Sequence, residues 1–365
     1  MLRFADVRLV IGTRPEAIKL APLAHALRDC GVPPTLVLTG QHPGLKAEEF
    51  GLSAYPAVYL GCPGEEDPHR HVRRVTAATL PLMRPPPDLL VVQGDTSSAL
   101  GAALAGFLSE VPVAHVEAGL RTHDPQLPWP EEEFRTAIDA RAQLLFAPNA
   151  GAAANLRAEG LPGEVHTTGN TGIDALIATQ SRLPAQGLMH EPGHRILVTC
   201  HRRETWGEGL RSIAAALIDI VRDYSVRVDF VLHPNPHVAE TMRQSLDSIR
   251  GISLIRPCTH GELVQRMRAA DLVLSDSGGI QEEAAALGAP LLVLRDKTER
   301  PEVLATGNAR LVGTSAERIV AEVRGLLGNP SELLGMGLPA FPFGKGDAAP
   351  QIARVITQWL DTGRA

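Results

Sequence analysis

The 365-residue sequence has few lysines, few aromatic residues and no long apolar run. Only four of its 35 basic residues are lysines, and 41 acidic residues leave a formal net charge of −6, so a basic nucleic-acid surface is not expected. Aromatic residues make up 4%, too few for base-stacking platforms. No apolar run reaches the roughly 18 residues of a membrane span, and we see no signal peptide. We therefore expect a cytoplasmic protein that binds neither nucleic acid nor membrane.

Cysteine is also scarce. Cys30, Cys62, Cys200 and Cys258 have a spacing that fits no zinc or redox motif, so we interpret them as small buried side chains in a reducing compartment. The histidines lack a metal-binding spacing as well, and we predict no metal site.

Short apolar runs alternate with longer runs rich in Ala, Leu and Arg. This pattern predicts an α/β protein with two doubly wound parallel sheets of about five strands each, both covered by helices on two faces. The predicted strands are 7–11, 34–38, 89–92, 111–116, 144–147, 195–199, 228–232, 252–255, 272–275 and 290–294. The predicted helices include 15–28, 97–108, 131–142, 209–224, 261–270, 280–287, 316–327 and 351–360.

The segment 179–194 is rich in Pro and Gly and has no apolar period, which indicates a linker. We therefore predict an N-terminal domain over residues 1–178 and a C-terminal domain over residues 179–350. From the residues alone, the last helix can pack on either domain.

In open α/β sheets, ligands bind beyond the carboxyl ends of the strands, so the residues that follow each strand are candidates. The first such segment, Gly12–Lys19, opens a helix, and its backbone N–H groups, Arg14 and Lys19 suit an anion. A plain turn with a surface arginine is the alternative interpretation.

The segment Ser275–Glu283 makes a similar junction. Gly278 and Gly279 allow a phosphate to approach the backbone, and Ser277 adds a hydroxyl. Glu283, one turn into the helix, suits the two hydroxyls of a ribose. The segment lacks the Gly-Lys-Ser/Thr ending of a P-loop, which disfavours a kinase or ATPase.

Other strand ends carry charged groups. His201 and Arg202 follow a strand and suit a phosphate, and His233 follows another strand. Asp95, Glu117 and Glu131 are candidate general acids or bases; helix capping is the alternative role for Asp95 and Glu131.

Seven motifs in fixed order now identify the chain as similar to the non-hydrolysing bacterial UDP-N-acetylglucosamine 2-epimerases, from residue 9 to about 355. The motifs are Gly12–Lys19, Gln93–Thr96, His115–Thr122, Trp129–Glu132, His201–Glu204, Asp276–Glu283 and Thr298–Glu302.

The resemblance implies a GT-B fold, in which two Rossmann-like domains face a cleft and the C-terminal helix, residues 351–365, returns to the first domain. It implies conversion of UDP-N-acetylglucosamine to UDP-N-acetylmannosamine through 2-acetamidoglucal, for cell-surface polysaccharide synthesis. It also implies a cytoplasmic homodimer with neither a nicotinamide nor a metal.

The resemblance also implies roles for individual residues. Lys19 and Arg135 support the catalytic acids or the sugar, and His201 acts on the leaving phosphate. The implied catalytic residues are Asp95, Glu117, Glu131 and His201. The implied substrate-binding residues are Arg14, Lys19, Arg135, Arg202, His233, Ser277, Gly278, Gly279 and Glu283.

Four alternatives stay open at this stage. A hydrolysing epimerase would release free N-acetylmannosamine, and a GT-B glycosyltransferase would need an acceptor. A nucleotide-sugar sensor would not need all the acids together. A nicotinamide-dependent epimerase would need a glycine fingerprint that the sequence lacks.

Overall fold

The computed structural model describes residues 5–184, 193–200, 202, 205–223 and 225–362. Within them the chain forms two compact units, one of residues 5–175 with 343–362 and one of residues 176–342. The sequence prediction placed these boundaries at 178/179 and 350/351. None of the described helices combines the length and the apolar character that spanning a membrane requires.

The first unit is built on a seven-stranded parallel sheet in the order β3-β2-β1-β4-β5-β6-β7. Its strands are β1 (Val7–Ile11), β2 (Thr35–Leu38), β3 (Ala57–Tyr59), β4 (Leu89–Gln93), β5 (Val113–Val116), β6 (Leu144–Ala147) and β7 (Glu164–Thr167). The helices that begin in this unit are α1 (Arg14–Asp29), α2 (Pro68–Thr79), α3 (Ser97–Leu108), α4 (Glu131–Asp139), α5 (Ala150–Ala158) and α6 (Thr171–Gln180).

The second unit has a six-stranded parallel sheet in the order β10-β9-β8-β11-β12-β13. Its strands are β8 (His194–Thr199), β9 (Val226–Val231), β10 (Ile252–Ile255), β11 (Leu272–Ser275), β12 (Leu291–Val293) and β13 (Ala309–Leu311). Its helices are α7 (Glu208–Asp223), α8 (Pro236–Leu246), α9 (His260–Ala269), α10 (Gly278–Leu287), α11 (Pro301–Ala305), α12 (Ala316–Leu327) and α13 (Pro330–Met336).

Successive side chains of a strand point to opposite faces, and in the first unit each face has its own core. Leu9 and Ile11 of β1 pack with α1, whereas Val10 between them belongs to the core under α2 and α3. The prediction of doubly wound parallel α/β sheets is confirmed. The strand order reverses between β1 and β4, and between β8 and β11, and ligands bind at such switch points.

Three strands were missed, so the expectation of about five strands per sheet was wrong. β3, β7 and β13 are all edge strands, and most of their side chains are partly or fully exposed. β5 begins at Val113 rather than at residue 111, because Pro112 has no N–H to donate. The predicted linker was wrong at its start, since α6 continues to Gln180; residues 185–192 lie outside the described residues.

All four cysteines are free thiols, as predicted, but only Cys62 and Cys200 are buried. Cys30 is the C-cap that follows α1 and is exposed, and Cys258 is half-buried, so the prediction that all four fill the core was wrong.

The last helix, α14 (Ala348–Thr362), packs on α1 in the first unit. Its N-terminus is held by Asp174 of α6, whose carboxylate accepts hydrogen bonds from the backbone N–H groups of Ala348 (3.3 Å) and Ala349 (2.9 Å). Burial raises the pKa of Asp174 from 3.8 to about 6, against the lowering effect of these bonds.

We predict that Asp174 makes stability depend on pH. Its pKa is higher in the folded than in the unfolded chain, so the folded state binds more protons and the free energy of unfolding falls as pH rises through 6. Asp174→Asn removes this dependence. From pH 5 to pH 7.5, we expect the free energy of unfolding of the wild type to fall by about 1.4 kcal/mol relative to that of the variant.

Urea unfolding at the two pH values measures this change. Asp361→Asn is the control, because this side chain is exposed in the last turn of α14. Parallel pH curves for the wild type and Asp174→Asn would contradict the prediction.

Candidate active site

In the first unit, the carboxylate of Glu16 connects the turn after β1 with the turn after β4, the two strands between which the strand order reverses. Its Oε2 accepts hydrogen bonds from the N–H groups of Gly12 (2.7 Å) and Thr13 (2.6 Å), and its Oε1 accepts one from the Thr96 hydroxyl (2.6 Å). Glu16 is buried, which raises its pKa above the usual range even though these bonds lower it. The turn after β1 is thus tied to the residue that follows Asp95.

Glu117 directly follows β5 and is nearly buried. Its Oε2 pairs with the Lys19 ammonium and accepts a hydrogen bond from Gln93 Nε2 (2.6 Å). Its φ of +72° lies in the left-handed region, which is rare for a residue other than glycine. The N–H groups of Glu117 and Ala118 both donate to the carbonyl of Phe146 (3.0 Å each), which holds this turn against its backbone strain.

Asp95 ends the turn after β4 and is held by Arg135 of α4. Arg135 is 1% exposed and donates to Asp95 Oδ2 through Nε (3.0 Å) and Nη2, and to Glu132 Oε2 through Nη1 (2.6 Å). Glu132 in turn accepts the N–H groups of Thr122 (2.9 Å) and His123 (3.0 Å). One buried guanidinium therefore orients Asp95 and fixes the loop before α4.

A second charged network lies beneath these two turns. Asp139 is fully buried and accepts hydrogen bonds from His115 Nδ1 (2.6 Å), Arg121 Nη1 (2.8 Å) and the N–H of Gly119 (3.1 Å). Burial alone would raise the pKa of Asp139, but the charge of His115 and the bonds from His115 and Arg121 bring it below its usual value. Arg121 also makes a bidentate pair with Glu159.

Arg14 and Glu131 occupy less enclosed positions in the same unit. Arg14 is exposed at the start of α1, pairs with Glu49 (3.1 Å) and lies over the ring of Phe50 (5.7 Å from guanidinium carbon to ring centroid). Glu131 is half-buried at the first position of α4, one turn before Arg135.

In the second unit, Ser277 precedes α10 and makes no side-chain capping bond, which leaves its hydroxyl for another partner. A Cβ on Gly278 would lie 2.5 Å from Arg300 Nη1, whereas a Cβ on Gly279 would have no atom of the described residues within 4 Å. Gly278 is therefore required for packing, and Gly279 opens a space at the helix N-terminus. Such a terminus presents N–H groups and a positive dipole end to an anion.

The buried carboxylate of Glu299 gathers three arginines near this helix. It pairs with Arg202 Nη2 (3.3 Å), Arg295 Nη1 (2.8 Å) and Arg300 Nη1. Arg300 also donates to Glu282 Oε1 (2.5 Å). Arg202, which follows β8, is thereby held beside the residues that follow β11, and its N–H donates to Asp276 Oδ2 (3.0 Å).

Glu283 lies one turn into α10, as predicted, and its Oε1 contacts His260 Nε2 at 2.9 Å. Burial alone would lower the pKa of His260, but the hydrogen bond and the charge of Glu283 raise it above 6.5. The Thr179 hydroxyl contacts the other ring nitrogen at 3.2 Å. His260 therefore fixes the orientation of the Glu283 carboxylate.

His233 follows β9, where its Nδ1 accepts the N–H of Asn235 (2.9 Å) and its ring lies edge-on to Trp206. His201 lies outside the described residues, as do Arg203 and Glu204. Among the described residues, no group of three or more His, Cys, Asp and Glu side chains is placed to hold a metal ion.

The structure thus pairs Lys19 with Glu117 and Arg135 with Asp95 in the first unit, and places Arg202 near the turn of Ser277 in the second. Sequence reasoning assigned no role to several partners of these residues. The Thr-x-x-Glu spacing of a capping box could have identified Glu16. Asp276 and Glu299 stand in two of the quoted motifs but were given no role, and Asp139, His260 and Arg295 lie outside the motifs.

Comparison with known proteins identifies the family. The family model for UDP-N-acetylglucosamine 2-epimerase matches residues 25–357. The chain belongs to the UDP-N-acetylglucosamine 2-epimerase family. The enzyme of that name from Salmonella typhimurium is 39% identical over 97% of this chain and 98% of its own length. Such epimerases are isomerases, so the predictions of the family and of the enzyme class are confirmed.

Solved structures of the same family agree in fold. The UDP-GlcNAc 2-epimerase from Neisseria meningitidis bound to UDP-GlcNAc has a TM-score of 0.91 and 34% identity, covering 97% of this chain and 100% of that chain. The epimerase from Methanocaldococcus jannaschii, in complex with UDP-GlcNAc and UDP, has a TM-score of 0.84 and 30% identity, covering 97% and 99%.

Proposed function

We propose that this family member reversibly converts UDP-N-acetylglucosamine to UDP-N-acetylmannosamine by inversion at C2. The observation that carries this proposal is the pair of carboxylates at neighbouring strand ends, Asp95 after β4 and Glu117 after β5, each held by a cation. The relatives named for this activity, and the bound UDP-GlcNAc in two related structures, support the choice of substrate.

The chemistry explains why two oriented carboxylates are needed. The C2 proton of the sugar is not next to a carbonyl, so its removal alone would be very slow. If the bond from C1 to the UDP oxygen breaks as a base removes the C2 proton, the products are 2-acetamidoglucal and UDP. UDP then attacks C1 again while an acid returns a proton to C2 from the opposite face. No oxidation occurs in either step, so a nicotinamide is not required.

We assign the proton transfers to Asp95, Glu117 and Glu131. Acid–base groups on two faces of the sugar must be fixed in orientation, because proton transfer needs hydrogen-bond distances to the reacting atom. Lys19 and Arg135 supply this orientation and balance the charge of the carboxylates they contact.

We assign retention of UDP to the strand ends of the second unit, together with Arg14. The N-terminus of α10 with Ser277 and Gly279 suits the pyrophosphate, and Arg202 and His201 suit the charge that develops on the leaving phosphate. Glu283, held by His260, suits the ribose diol. His233 is assigned to the same binding region, because it also follows a strand of this sheet.

The family resemblance further supports a cytoplasmic homodimer that supplies cell-surface polysaccharide synthesis. Light scattering after size exclusion tests the dimer, which should have about twice the chain mass of 39.0 kDa. A single-chain mass would contradict it.

Incubation with either sugar nucleotide tests the proposed reaction. We expect chromatography to show the same final mixture of the two UDP-sugars from both starting compounds, without added cofactor. Free N-acetylmannosamine with UDP in equal amount would instead indicate a hydrolysing epimerase. UDP binding without conversion would favour a glycosyltransferase or a sensor.

A further inference from the structure

Beneath the two candidate catalytic turns, one buried side-chain pair contacts both. His115 is fully buried in β5, between Asp139 of α4 and the turn after β4. Its Nδ1 lies 2.6 Å from Asp139 Oδ1, and its Nε2 lies 2.8 Å from the carbonyl oxygen of Gly94. Gly94 immediately precedes Asp95, so the imidazole supports the backbone that carries this carboxylate.

The same Asp139 carboxylate supports the other turn. Its Oδ2 accepts the N–H of Gly119, two residues after Glu117. Gly119 has a φ of +85°, and a Cβ there would lie 2.4 Å from the carbonyl oxygen of Ala152, so only glycine fits at this position of the turn. Asp139 therefore reaches the Glu117 turn directly and the Asp95 turn through His115.

The acceptors on either side of His115 determine which of its atoms donate. The Gly94 carbonyl and an ionised Asp139 carboxylate can both only accept hydrogen bonds. Both ring nitrogens of His115 therefore donate. A buried carboxylate that accepts several hydrogen bonds is held firmly in one orientation, because hydrogen bonds to charged groups are short and about twice as strong as neutral ones.

We propose that Asp139 and His115 form a buried positioning pair that fixes the Asp95 turn relative to the Glu117 turn. The inference rests on the proposed function, because it assigns the pair a purpose in aligning two proton-transfer groups. Neither residue is proposed to touch the sugar. Misplacement of reacting groups by about 1 Å can reduce a rate on the order of 100-fold.

Two substitutions test the pair by its effect on turnover. Asp139→Asn places an amide donor against groups that already donate, and His115→Gln cannot donate to both sides. We expect each variant to lower kcat on the order of 100-fold, with the Kd for UDP within threefold of the wild type. The double variant should lose little more than either single variant, since the two residues act as one unit.

Glu159→Gln is the matched control. Glu159 belongs to the same network through Arg121 but makes no hydrogen bond to His115, Gly94 or Gly119 among the described contacts. We expect its kcat to stay within threefold. Loss of kcat in Glu159→Gln equal to that in His115→Gln, or fully additive losses in the double variant, would overturn the proposal.

A spectroscopic test on the intact protein does not depend on activity. In ¹⁵N-histidine-labelled full-length protein at pH 7.5, both ring nitrogens of His115 should carry hydrogens, with the signals assigned by their loss in His115→Gln. A ring nitrogen of His115 without a hydrogen would overturn the proposed positioning pair. If the wild type does not epimerise while both nitrogens donate, the proposed function fails, but the hydrogen bonds from His115 to Asp139 and Gly94 are confirmed.

Discussion

Glu117→Gln is expected to lower kcat by about 10³-fold, the size of a lost general acid–base group, while the Kd for UDP changes less than threefold. The amide keeps the shape of the side chain but cannot remove a proton from C2. The UDP contacts are assigned to other residues, mainly in the second unit, so nucleotide affinity should persist. An assay of UDP-sugar conversion measures kcat, and isothermal titration with UDP measures binding.

Asp95→Asn should behave in the same way, since Arg135 holds Asp95 as Lys19 holds Glu117. The control is Glu133→Gln. Glu133 is an exposed carboxylate of α4 that lies 3.6 Å from His69 Nε2. We expect this control to keep full activity. Equal losses of turnover and UDP affinity in the Glu117 and Asp95 variants would contradict their assignment to proton transfer.

Gly278→Ala and Gly279→Ala are expected to separate stability from nucleotide binding. A Cβ on Gly278 would collide with the guanidinium of Arg300, which is 4% exposed and paired with Glu282 and Glu299. Displacing a buried, paired charge is costly, and we expect a loss of about 3 kcal/mol in the free energy of unfolding. Thermal and urea unfolding measure this loss.

Gly279→Ala should leave stability unchanged or slightly higher, because its Cβ would meet none of the described residues and alanine favours a helix over glycine by up to about 1 kcal/mol. The same Cβ would occupy the space assigned to the pyrophosphate, so we expect the Kd for UDP to rise at least about tenfold, near 1.4 kcal/mol. Unchanged UDP affinity in Gly279→Ala would contradict the placement of the pyrophosphate at α10.

The central strands of both sheets could be predicted from the sequence, whereas most of the edge strands could not. Strands such as β4 and β11 are buried on both faces and appear as continuous apolar runs. An edge strand such as β7 has mostly exposed side chains and no such run. The helix α2 was missed for a related reason, since it is rich in His and Arg and buries only a narrow face.

The candidate site shows a similar division. Asp95, Glu117 and Ser277 could be predicted because a strand end at a switch point is defined by local pattern. Lys19 and Arg135, which hold Glu117 and Asp95, were implied by the family resemblance. The contacts behind these residues could not be predicted, since Glu299 is 97 residues from Arg202 and Asp139 is 20 residues from Gly119. Such contacts depend on how the helices and strands pack together, and the periodicity of a single sequence does not indicate them.

Proton NMR of the protein with UDP-N-acetylglucosamine in D₂O, without added cofactor, tests the central claim most directly. Elimination and re-addition predict that UDP-N-acetylmannosamine appears with deuterium at C2, and that the remaining UDP-N-acetylglucosamine gains deuterium at the same carbon as the reaction reverses. Epimerised product that keeps its original C2 proton, or no exchange in a protein that binds UDP, would contradict the account.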